Sequence, residues 1–542
     1  MAMTTDTAAR RLSWWGWGYE DAGLPDGERD SLMAMLSGHL GLKEVVARPV
    51  PDVDRLPLPA PRVRPPEALA GLCGETNRER AAHAHGRSFR DVVRNLRGQI
   101  EHPPDLVVYP RSEADVAAVL EWCGDANIAV IPFGGGSSVV AGVEPDVGDG
   151  YAGAVSLDLG SLASVSEVDA RSRAARIGAG IRGPALEDAL RPHGLTLRHF
   201  PQSFEHSTLG GWLATRSGGH YATLHTHIDD FVESIRMVCP AGIMETRRLP
   251  SSGAGPSPER LLLGSEGILG VITAAWMRLQ PRPRFRARAT LRFDDFDTAA
   301  EAARAVVQSG LNPSNCRLLD PLEALLSGAV AGGAALLIVA FESADHPLDA
   351  WIARAVELGA DHGGTCPEGI HLSAGGEQPG HDGAAGAWRR AFLRGPYLRD
   401  ALARCGLVLE TFETAVTWDR FAGFHAAVME ATRHSLEQLD MRALVSCRFT
   451  HLYPDGPAPY YTVIAAGDPD AQLEQWDQVK AAASEAVIAG GGTITHHHAV
   501  GRDHRPWYDR ERPDAFAAAL KAAKQALDPA GVLNPGVLLD VR

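Results

Sequence analysis

Long basic runs, metal-type cysteine spacing and long apolar segments are all missing from this chain. Acidic residues outnumber basic ones by 67 to 52, and this balance argues against a nucleic-acid partner. The seven cysteines are scattered and odd in number, which predicts reduced, mostly structural thiols. The longest uncharged apolar run, residues 324–341, contains a serine and glycines and is barely long enough to span a bilayer. Any membrane contact is therefore expected to be peripheral.

Targeting signals are not evident at either end of the chain. The first fifteen residues lack the apolar centre of a secretory signal, and the last three, Asp-Val-Arg, form no peroxisomal address. We therefore expect a cytoplasmic protein, with any membrane contact at the inner membrane surface. At 542 residues the chain exceeds one ordinary hydrophobic core, so two or three domains are expected.

The segment 128–145, IAVIPFGGGSSVVAGVEP, is the stretch around which the chain is organised. An apolar, β-branched run predicts a strand, and three glycines (134–136) followed by Ser137 and Ser138 predict a tight loop. Glycines allow consecutive backbone N–H groups to approach an anion, and hydroxyls add donors. On the three glycines alone an ordinary turn is an equal alternative, so the neighbouring segments decide.

Those neighbours alternate between strands and helices. The pattern predicts strands at 106–109 and 128–131 around a helix at 113–123 with Ser112 as its N-cap. A helix is also predicted at 26–41, and an amphipathic helix ends at Asp528-Pro529. Beyond the prolines at 281 and 283, we expect an antiparallel sheet with helices on one face, including a helix at 298–308 opened by Asp297.

Four motifs in this order, PDLVVYPRSEADV, VIPFGGGSSV, HSTLGGWLATRSGG and GSEGILGVIT, resemble the flavin-binding domain of the vanillyl-alcohol oxidase and p-cresol methylhydroxylase superfamily. Within it, the chain is similar to the alkylglycerone-phosphate synthase family, from WGWGYEDAG through CRLLD and ETFETAVTWDR to THHHAVG and LDPAGVLNPG. The resemblance covers nearly the whole chain. It implies an α+β fold with a two-subdomain FAD-binding domain, a cap domain whose antiparallel sheet is covered by helices, and a helical N-terminal region.

The resemblance implies four regions with the following boundaries. Residues 1–100 form an N-terminal helical and extended region, and residues 101–282 form the FAD-binding domain. Residues 283–500 form a substrate-binding cap domain, and residues 501–542 return to the FAD domain.

The cofactor that the resemblance implies is FAD, held without a covalent bond because Ser137 stands where many relatives carry a linking histidine. Leu209, Trp212 and Leu269 are expected to pack against its ring. The cofactor contacts implied by the resemblance are Pro132, Phe133, Gly134, Gly135, Gly136, Ser137, Ser138, Val139, Gln202, Ser203, Phe204, Glu205, His206, Ser207, Thr208, Ala214, Thr215, Arg216, Ser217, Gly218, Glu266, Gly267, Ile268, Leu269, Gly270, Val271 and Ile272.

Three consecutive histidines, His496, His497 and His498, follow a glycine run. A metal site is disfavoured because adjacent side chains in extended backbone point to opposite faces. A proton shuttle beside the flavin fits better, since imidazole both takes and returns a proton near neutral pH. Histidines that are merely hydrogen-bonded are the plainer alternative.

Tyr460 is the acid/base residue that the resemblance implies, although a phenol is a poor base unless a cation or histidine lowers its pKa. Without the resemblance, Tyr460 and Tyr461 would be alternating strand residues, one buried and one exposed. The resemblance also places Arg399, Arg317 and Arg448 against an anionic substrate group, which suits the guanidinium fork. For Arg399, a surface salt bridge is an equal alternative.

The resemblance implies a transferase that exchanges the acyl chain of acyl-dihydroxyacetone phosphate for a fatty alcohol, with no net redox change, and a homodimer. An FAD-dependent 2-hydroxy-acid dehydrogenase or oxidase, of the D-lactate or glycolate type, is the main alternative, because such enzymes pair histidines with a carboxylate-binding arginine. A third hypothesis is a non-catalytic flavin- or lipid-binding protein.

Overall fold

The computed structural model describes residues 11–42, 46–225, 227–329, 333–375 and 383–540. The chain ends considered above for targeting, residues 1–10 and 541–542, lie outside this range, as do residues 330–332 of the apolar run. Among the described residues, no helix combines the length and the apolarity needed to cross a bilayer.

The N-terminal region consists of short elements that pack onto the rest of the molecule. These elements are α1 (Asp26–Leu40), α2 (Glu67–Ala70), β1 (Cys73–Gly74), α3 (Asn77–Ala82) and α4 (Phe89–Leu96). Thr76 and Ser88 begin α3 and α4 with capping boxes, which satisfy the first free N–H groups of each helix. The predicted helix at 26–41 is confirmed as α1. The indole N–H of the buried Trp17 donates to the Arg87 carbonyl oxygen at 3.1 Å, so the aromatic segment WGWGYEDAG packs on the protein body.

A small, mostly parallel sheet carries the glycine loop. Its elements are β2 (Leu106–Val108), α5 (Glu113–Asp125), β3 (Ile128–Phe133) and β4 (Gly153–Asp158). The strand order is β1-β2-β4-β3, with β4 parallel to both β2 and β3. Ser112 caps α5 by accepting the Asp115 N–H, as predicted. The C-terminal end of β3 leads directly into the glycine loop.

A second sheet of five antiparallel strands follows. The elements of this part are β5 (Val165–Asp169), β6 (Ala174–Gly178), α6 (Gly183–Leu190), β7 (Leu195–Thr196), α7 (Leu209–Thr215), α8 (Ala222–His225), β8 (Val232–Cys239), β9 (Gly242–Glu245), α9 (Pro258–Leu262), β10 (Val271–Arg278) and β11 (Gln280–Pro281). The strand order is β5-β6-β10-β8-β9, and β11 pairs with β7. The helix α7 packs over β6 and β10 and brings the segment before it toward the glycine loop.

The third and largest sheet has seven antiparallel strands in the order β15-β12-β14-β13-β17-β18-β16. Its elements are β12 (Phe285–Phe293), α10 (Phe296–Gln308), β13 (Asn315–Leu319), α11 (Pro321–Leu326), β14 (Ala335–Ser343), α12 (Asp349–Asp361), β15 (His371–Ser373), α13 (Gly383–Arg404), β16 (Val408–Glu413), α14 (Trp418–Gln438), β17 (Arg442–Leu452), β18 (Pro457–Ala466) and α15 (Gln472–Ala489). Strand residues alternate between two faces: Leu318 joins the main core under the helices, whereas Arg317 faces the other way. The α+β fold class predicted from the sequence is confirmed.

The sequence placed the start of α10 two residues too late. The helix begins at Phe296, because the Asp295 carboxylate accepts the Thr298 N–H at 2.7 Å and caps the first turn. Asp297 therefore lies inside that turn rather than opening the helix. Helices also cover both faces of the large sheet in part, since Trp388 of α13 packs with Leu319 and Ile338 away from the main core.

The C-terminal part contains α16 (Arg505–Glu511) and α17 (Asp514–Leu527) and then returns to the first sheet. The Val130 N–H donates to the Val532 carbonyl oxygen at 2.8 Å, and the Asn534 N–H donates to the Val130 carbonyl oxygen at 2.9 Å. The chain end thus lies beside β3. We retain the four predicted domain boundaries as a proposal.

Candidate active site

One cavity of about 390 Å³ lies between the glycine loop and the exposed face of the large sheet. The loop after β3 forms one wall, and β13, β17 and β18 supply the opposite wall. The helices α1 and α13 close the sides, mostly with apolar residues. This arrangement brings a polar backbone loop, charged side chains and apolar surface to one place.

The glycine loop presents unpaired donors to this cavity. None of the backbone N–H groups of residues 134–139 donates a hydrogen bond to another residue in the described part of the chain. Buried backbone donors are almost always paired, and consecutive N–H groups in such a loop form a concavity that binds anions. The loop therefore fits the diphosphate of a dinucleotide such as FAD.

Gly135 leaves no room for a side chain. A Cβ at this position would lie 2.0 Å from the His206 carbonyl oxygen, so even alanine would force the loop away from the neighbouring segment. We expect Gly135→Ala to lower the FAD content of the purified protein at least tenfold, as measured by flavin absorbance per protein.

The matched control for this variant is Gly124→Ala. Gly124 lies in α5 with nothing within 4 Å of the added methyl group, so FAD content should stay at the wild-type level. Full FAD occupancy in Gly135→Ala would show that the loop does not hold the cofactor in the expected way.

Most of the predicted cofactor contacts line this cavity. Those that do are Pro132, Phe133, Gly134, Gly135, Gly136, Ser137, Ser138, Val139, Gln202, Ser203, Ser207, Thr208, Ala214, Thr215, Ser217, Gly218, Glu266, Gly267, Gly270 and Ile272. Trp212, expected to pack against the flavin ring, lines it as well.

The structure places the other predicted contacts elsewhere. These residues are Phe204, Glu205, His206, Arg216, Ile268, Leu269 and Val271. Leu269 and Leu209, which the sequence assigned to ring packing, are fully buried in the core behind the cavity wall. Arg216 turns toward Asp229, whose carboxylate accepts its Nε–H at 2.9 Å. A motif fixes which segments approach the cavity, but alternation within each segment decides which side chains face it.

Glu266 joins the flavin side of the cavity to the segment after the histidines. Its carboxylate accepts the Val500 and Gly501 N–H groups, both at 2.9 Å. Burial raises the pKa of Glu266 to about 7, and these two hydrogen bonds offset only part of that effect. The folded protein therefore holds a proton on this carboxyl group at pH values where the unfolded chain has released it.

This pKa shift predicts a pH dependence of stability. A raised folded pKa gives a contribution that is fully present below the unfolded value near 4.5 and is lost as pH rises through about 7. Between pH 4.5 and 8 the free energy of unfolding of the wild type should fall, relative to Glu266→Gln, by up to about 3 kcal/mol. Urea unfolding of both proteins at several pH values measures this difference, and parallel pH profiles would contradict the assignment.

Three arginines reach the cavity, and within the described part of the chain one of them, Arg317, lacks a carboxylate partner. Arg448 pairs with Glu323 at 2.6 Å, and Arg399 donates to the Arg87 carbonyl oxygen and lies 3.7 Å from the Asp400 carboxylate. Thus Arg399 lines the cavity and also has the acidic neighbour considered from the sequence.

Arg317 is 1% exposed and has no such pairing. One terminal nitrogen donates to His220 Nδ1 at 2.8 Å, while Nε and the other terminal nitrogen have no hydrogen-bond partner. Its guanidinium lies 4.5 Å from the ring centre of Trp388 and 5.1 Å from that of Phe392. Burial, together with the charge of Arg448, lowers the pKa of Arg317 to about 9. An uncompensated buried cation of this kind calls for an anionic ligand.

Tyr460 and Tyr461 are adjacent residues of β18 on opposite faces of the sheet. The expected alternation on a strand is confirmed, but the expectation that one of the two tyrosines is exposed is wrong, because both are buried. Tyr461 packs in the helix-side core on Phe412, while Tyr460 lines the cavity on the other side. Burial raises the pKa of Tyr460, although Arg448, 4.0 Å from its ring centre, acts in the opposite direction. The phenol therefore keeps its proton near neutral pH, contrary to the lowering expected from the sequence.

The histidine tract turns toward Tyr460. His497 and His498 line the cavity, and His498 packs edge-on against the Tyr460 ring with 5.5 Å between centres. His496 does not line the cavity and hydrogen-bonds Tyr453 Oη through Nε2 at 2.8 Å. Burial lowers the pKa of His498 to about 3 and that of His496 well below its usual range. Both imidazoles are therefore neutral at physiological pH.

The expectation that adjacent histidines diverge is wrong. The Nδ1 atoms of His496 and His497 are 3.1 Å apart, because residues 496–498 form a bend rather than an extended strand. Ring nitrogens of His451, His496 and His497 all lie within 4.8 Å of one another, so the predicted absence of a metal stays a prediction.

Several cavity residues were missed from the sequence. Those closest in character to the predicted site are Gly219, His220, Glu323, Trp388, Phe392, Thr411, Thr450 and His451. Gly219 and His220 lie in the loop between α7 and α8, and the others lie on strands and helices whose periodicity predicts only core packing. The motifs CRLLD and ETFET mark Arg317 and Thr411 as neighbours of functional segments, but no local pattern singles out His220.

Comparison with known proteins agrees with this architecture. The model of an FAD binding domain matches residues 104–247, and that of the C-terminal domain of FAD linked oxidases matches residues 282–538. Fold and cavity thus define a flavoprotein with FAD as its cofactor, and two parts of the chain match the FAD-binding and C-terminal domains of FAD-linked oxidases.

Within this class the chain is similar to alkyldihydroxyacetonephosphate synthases. The protein of that name from Trypanosoma brucei brucei is 28% identical over 85% of this chain and 77% of its own length, and that of Caenorhabditis elegans is 29% identical over 86% and 81%. A solved alkyldihydroxyacetonephosphate synthase structure superimposes with a TM-score of 0.79 and 26% identity, covering 97% of this chain and 98% of the other. A mitochondrial D-lactate dehydrogenase (cytochrome) of Arabidopsis thaliana is 26% identical over 84% of this chain and 76% of its own.

Proposed function

We propose that this protein is an FAD-dependent alkylglycerone-phosphate synthase-like transferase, which replaces the acyl chain of acyl-dihydroxyacetone phosphate by a fatty alcohol without net redox change. The observation that carries the proposal is that a single cavity joins an anion-binding loop, an arginine without a carboxylate partner in the described part of the chain, and a tyrosine beside the His498 imidazole. Each of these groups answers one requirement of the reaction.

Substrate binding needs an anion site and an apolar channel. Arg317 offers two unpaired N–H groups to the substrate phosphate, and the nearby Arg448 and Arg399 add positive charge to the same cavity. Residues that suit the alkyl and acyl chains come from both closing helices and the sheet: Leu32, Met35, Leu36, Leu398, Leu402, Leu409 and Ile464. The cavity thus offers both charged and apolar lining, as an acylated phosphate requires.

The reaction breaks the bond between the substrate carbon and the ester oxygen, so the fatty acid leaves as a carboxylate. The alcohol oxygen forms the new bond to that carbon, and the alcohol proton passes to a base. We assign this base to the histidine tract, whose His498 packs against the Tyr460 ring. Tyr460 can donate or relay a proton through its phenol group, which keeps its own proton near neutral pH. FAD, when bound, supplies an electron sink for charge that develops at the substrate carbon.

The second candidate, oxidation of a 2-hydroxy acid, uses the same arginine to hold a carboxylate. Its support is the similarity to D-lactate dehydrogenase and to a Bacillus subtilis glycolate oxidase subunit, 25% identical over 81% of this chain. The two functions differ in whether substrate reduces the flavin.

The deciding experiment incubates FAD-loaded protein with acyl-dihydroxyacetone phosphate and labelled hexadecanol, and separately with D-lactate and glycolate without oxygen. We expect labelled ether product, an equal amount of released fatty acid and no flavin bleaching by either acid. Bleaching without ether product would favour the oxidase, and neither result would favour a non-catalytic binding protein.

We further propose that FAD is bound without a covalent link, since Ser137 stands in the loop where many relatives of the superfamily have a histidine. Acid precipitation of the yellow protein is expected to leave all flavin in the supernatant. Flavin that stays with the precipitated protein would contradict this proposal.

We also propose that the protein is a cytoplasmic homodimer with peripheral membrane contact. The apolar residues that line the α1 side of the cavity, including the 42% exposed Met35, support contact with a lipid surface from which a fatty alcohol could enter. Sedimentation velocity tests the homodimer, and flotation with vesicles tests the membrane contact.

A further inference from the structure

Glu413, the last residue of β16, is a buried carboxylate that holds the backbone of the histidine tract. One carboxylate oxygen accepts the His496 N–H at 2.7 Å, and the other accepts the His498 N–H at 2.8 Å. The His497 N–H lies between them, at 3.1 and 3.2 Å, and the Thr495 hydroxyl donates at 2.6 Å. Four consecutive residues are therefore fixed by one side chain.

The same carboxylate also faces two of the imidazole rings. Nδ1 of His497 lies 3.3 Å from one carboxylate oxygen, and Nδ1 of His498 lies 3.6 Å from the other. No lysine or arginine in the described part of the chain forms an ion pair with Glu413. The negative charge of Glu413 therefore faces the histidine tract. The consecutive backbone N–H groups of this tract form a concave arrangement of the kind that binds an anion.

Strand register links this residue to the proposed acid/base. Glu413 is directly opposite Tyr460 in the antiparallel pairing of β16 with β18. A displacement of the tract would change the distance between the Tyr460 ring and the His498 ring, now 5.5 Å. The strand pairing fixes the position of Tyr460, and the Glu413 carboxylate fixes the position of the histidine tract.

We propose that Glu413 is a positioning residue for the reaction, which bends residues 495–498 so that His497 and His498 face the cavity beside Tyr460. This inference rests on the proposed function for its kinetic consequence, but not for its structural one. Glu413 touches neither substrate nor cofactor in this account and acts through the histidines.

The test variant is Glu413→Gln, because glutamine keeps the shape but replaces one acceptor oxygen by an NH₂ donor. Both oxygens of Glu413 accept N–H groups, so either amide orientation places a donor against a donor. The matched control is Glu410→Gln. Glu410 is an equally buried carboxylate of the same strand whose partners, Lys480 and Trp476, lie outside the histidine tract.

The FAD-loaded proteins are compared by hydrogen exchange with mass spectrometry and by steady-state kinetics. In Glu413→Gln we expect amides 496–498 to exchange at least tenfold faster, kcat to fall at least thirtyfold and KM to change less than threefold. FAD content should be unchanged. Glu413→Asp keeps the charge, and its kcat should be more than threefold higher than that of Glu413→Gln. Glu410→Gln should leave the exchange of amides 496–498 unchanged.

Three results would overturn the inference: unchanged exchange at 496–498 in Glu413→Gln, a kcat within threefold of the wild type, or an equal loss of kcat in Glu410→Gln. If the wild type transfers no alkyl chain, the proposed function fails. In that case the exchange rates alone decide this inference, since they report the hold on the tract without any substrate. If Glu413→Gln does not fold, Glu413→Asp is judged by the same exchange criterion.

Discussion

Arg317→Met is expected to remove most of the transferase activity without lowering the stability of the protein. The two unpaired N–H groups of Arg317 would bind the substrate phosphate by charge-assisted hydrogen bonds. Losing them should cost about 3 to 4 kcal/mol of transition-state binding, which is a decrease in kcat/KM of about 10² to 10³. Methionine, by contrast, is apolar and packs well against Trp388 and Phe392.

The stability side of this prediction follows from the missing counter-charge. A buried cation without a carboxylate partner destabilises the ligand-free protein, and replacing such a charge by an apolar side chain is often neutral or stabilising. The thermal midpoint of Arg317→Met should therefore equal or exceed that of the wild type. Thermal unfolding and kinetics with acyl-dihydroxyacetone phosphate measure the two effects.

Arg304→Met is the control for this variant. Arg304 lies on an exposed face of α10, where it pairs with Glu301, so its replacement should leave kcat/KM unchanged. If Arg317→Met binds and converts the substrate like the wild type, the phosphate does not lie against this residue.

Tyr460→Phe is expected to lower kcat by about 10² to 10³, which is the range that a positioned acid or base contributes. KM and FAD content should hardly change, because the ring and its stacking on Arg448 remain. Rapid-quench measurement of ether product separates the chemical step from product release.

Tyr461→Phe provides an unusually close control. It removes the same atom from the next residue of the same strand, but on the opposite face, where Tyr461 Oη lies 3.2 Å from His425 Nδ1. Its cost should be limited to stability, about 1 kcal/mol. Equal kinetic losses in the two variants would show that β18 as a whole, rather than the Tyr460 hydroxyl, matters to the reaction.

Sequence patterns predicted the elements better than the directions of their side chains. The glycines alone left an ordinary turn as an equal alternative, and the neighbouring motifs decided for an anion-binding loop. The unpaired N–H groups of the loop agree with that interpretation. The exposure of one of the two tyrosines was misjudged, because alternation places Tyr460 and Tyr461 on two faces without saying that both faces are covered.

The remaining gaps concern long-range contacts. Glu413 is 82 residues or more away in sequence from the residues that it hydrogen-bonds in the histidine tract. No local sequence pattern around Glu413 therefore predicts its partners. The bend at 496–498 follows from that contact and not from local propensity, which is why the extended-backbone expectation for the histidines was wrong. Arg317 could be named from its motif, whereas its lack of a carboxylate partner is visible only in three dimensions.

Isotope transfer from the alcohol tests the central claim most directly. FAD-loaded protein is supplied with unlabelled acyl-dihydroxyacetone phosphate and with hexadecanol labelled with ¹⁸O. The masses of the products are measured by mass spectrometry. We expect the label to enter the ether bond of the alkyl product and the released fatty acid to carry none. Label found in a fatty ester, or no ether product from FAD-loaded wild-type protein, would contradict it.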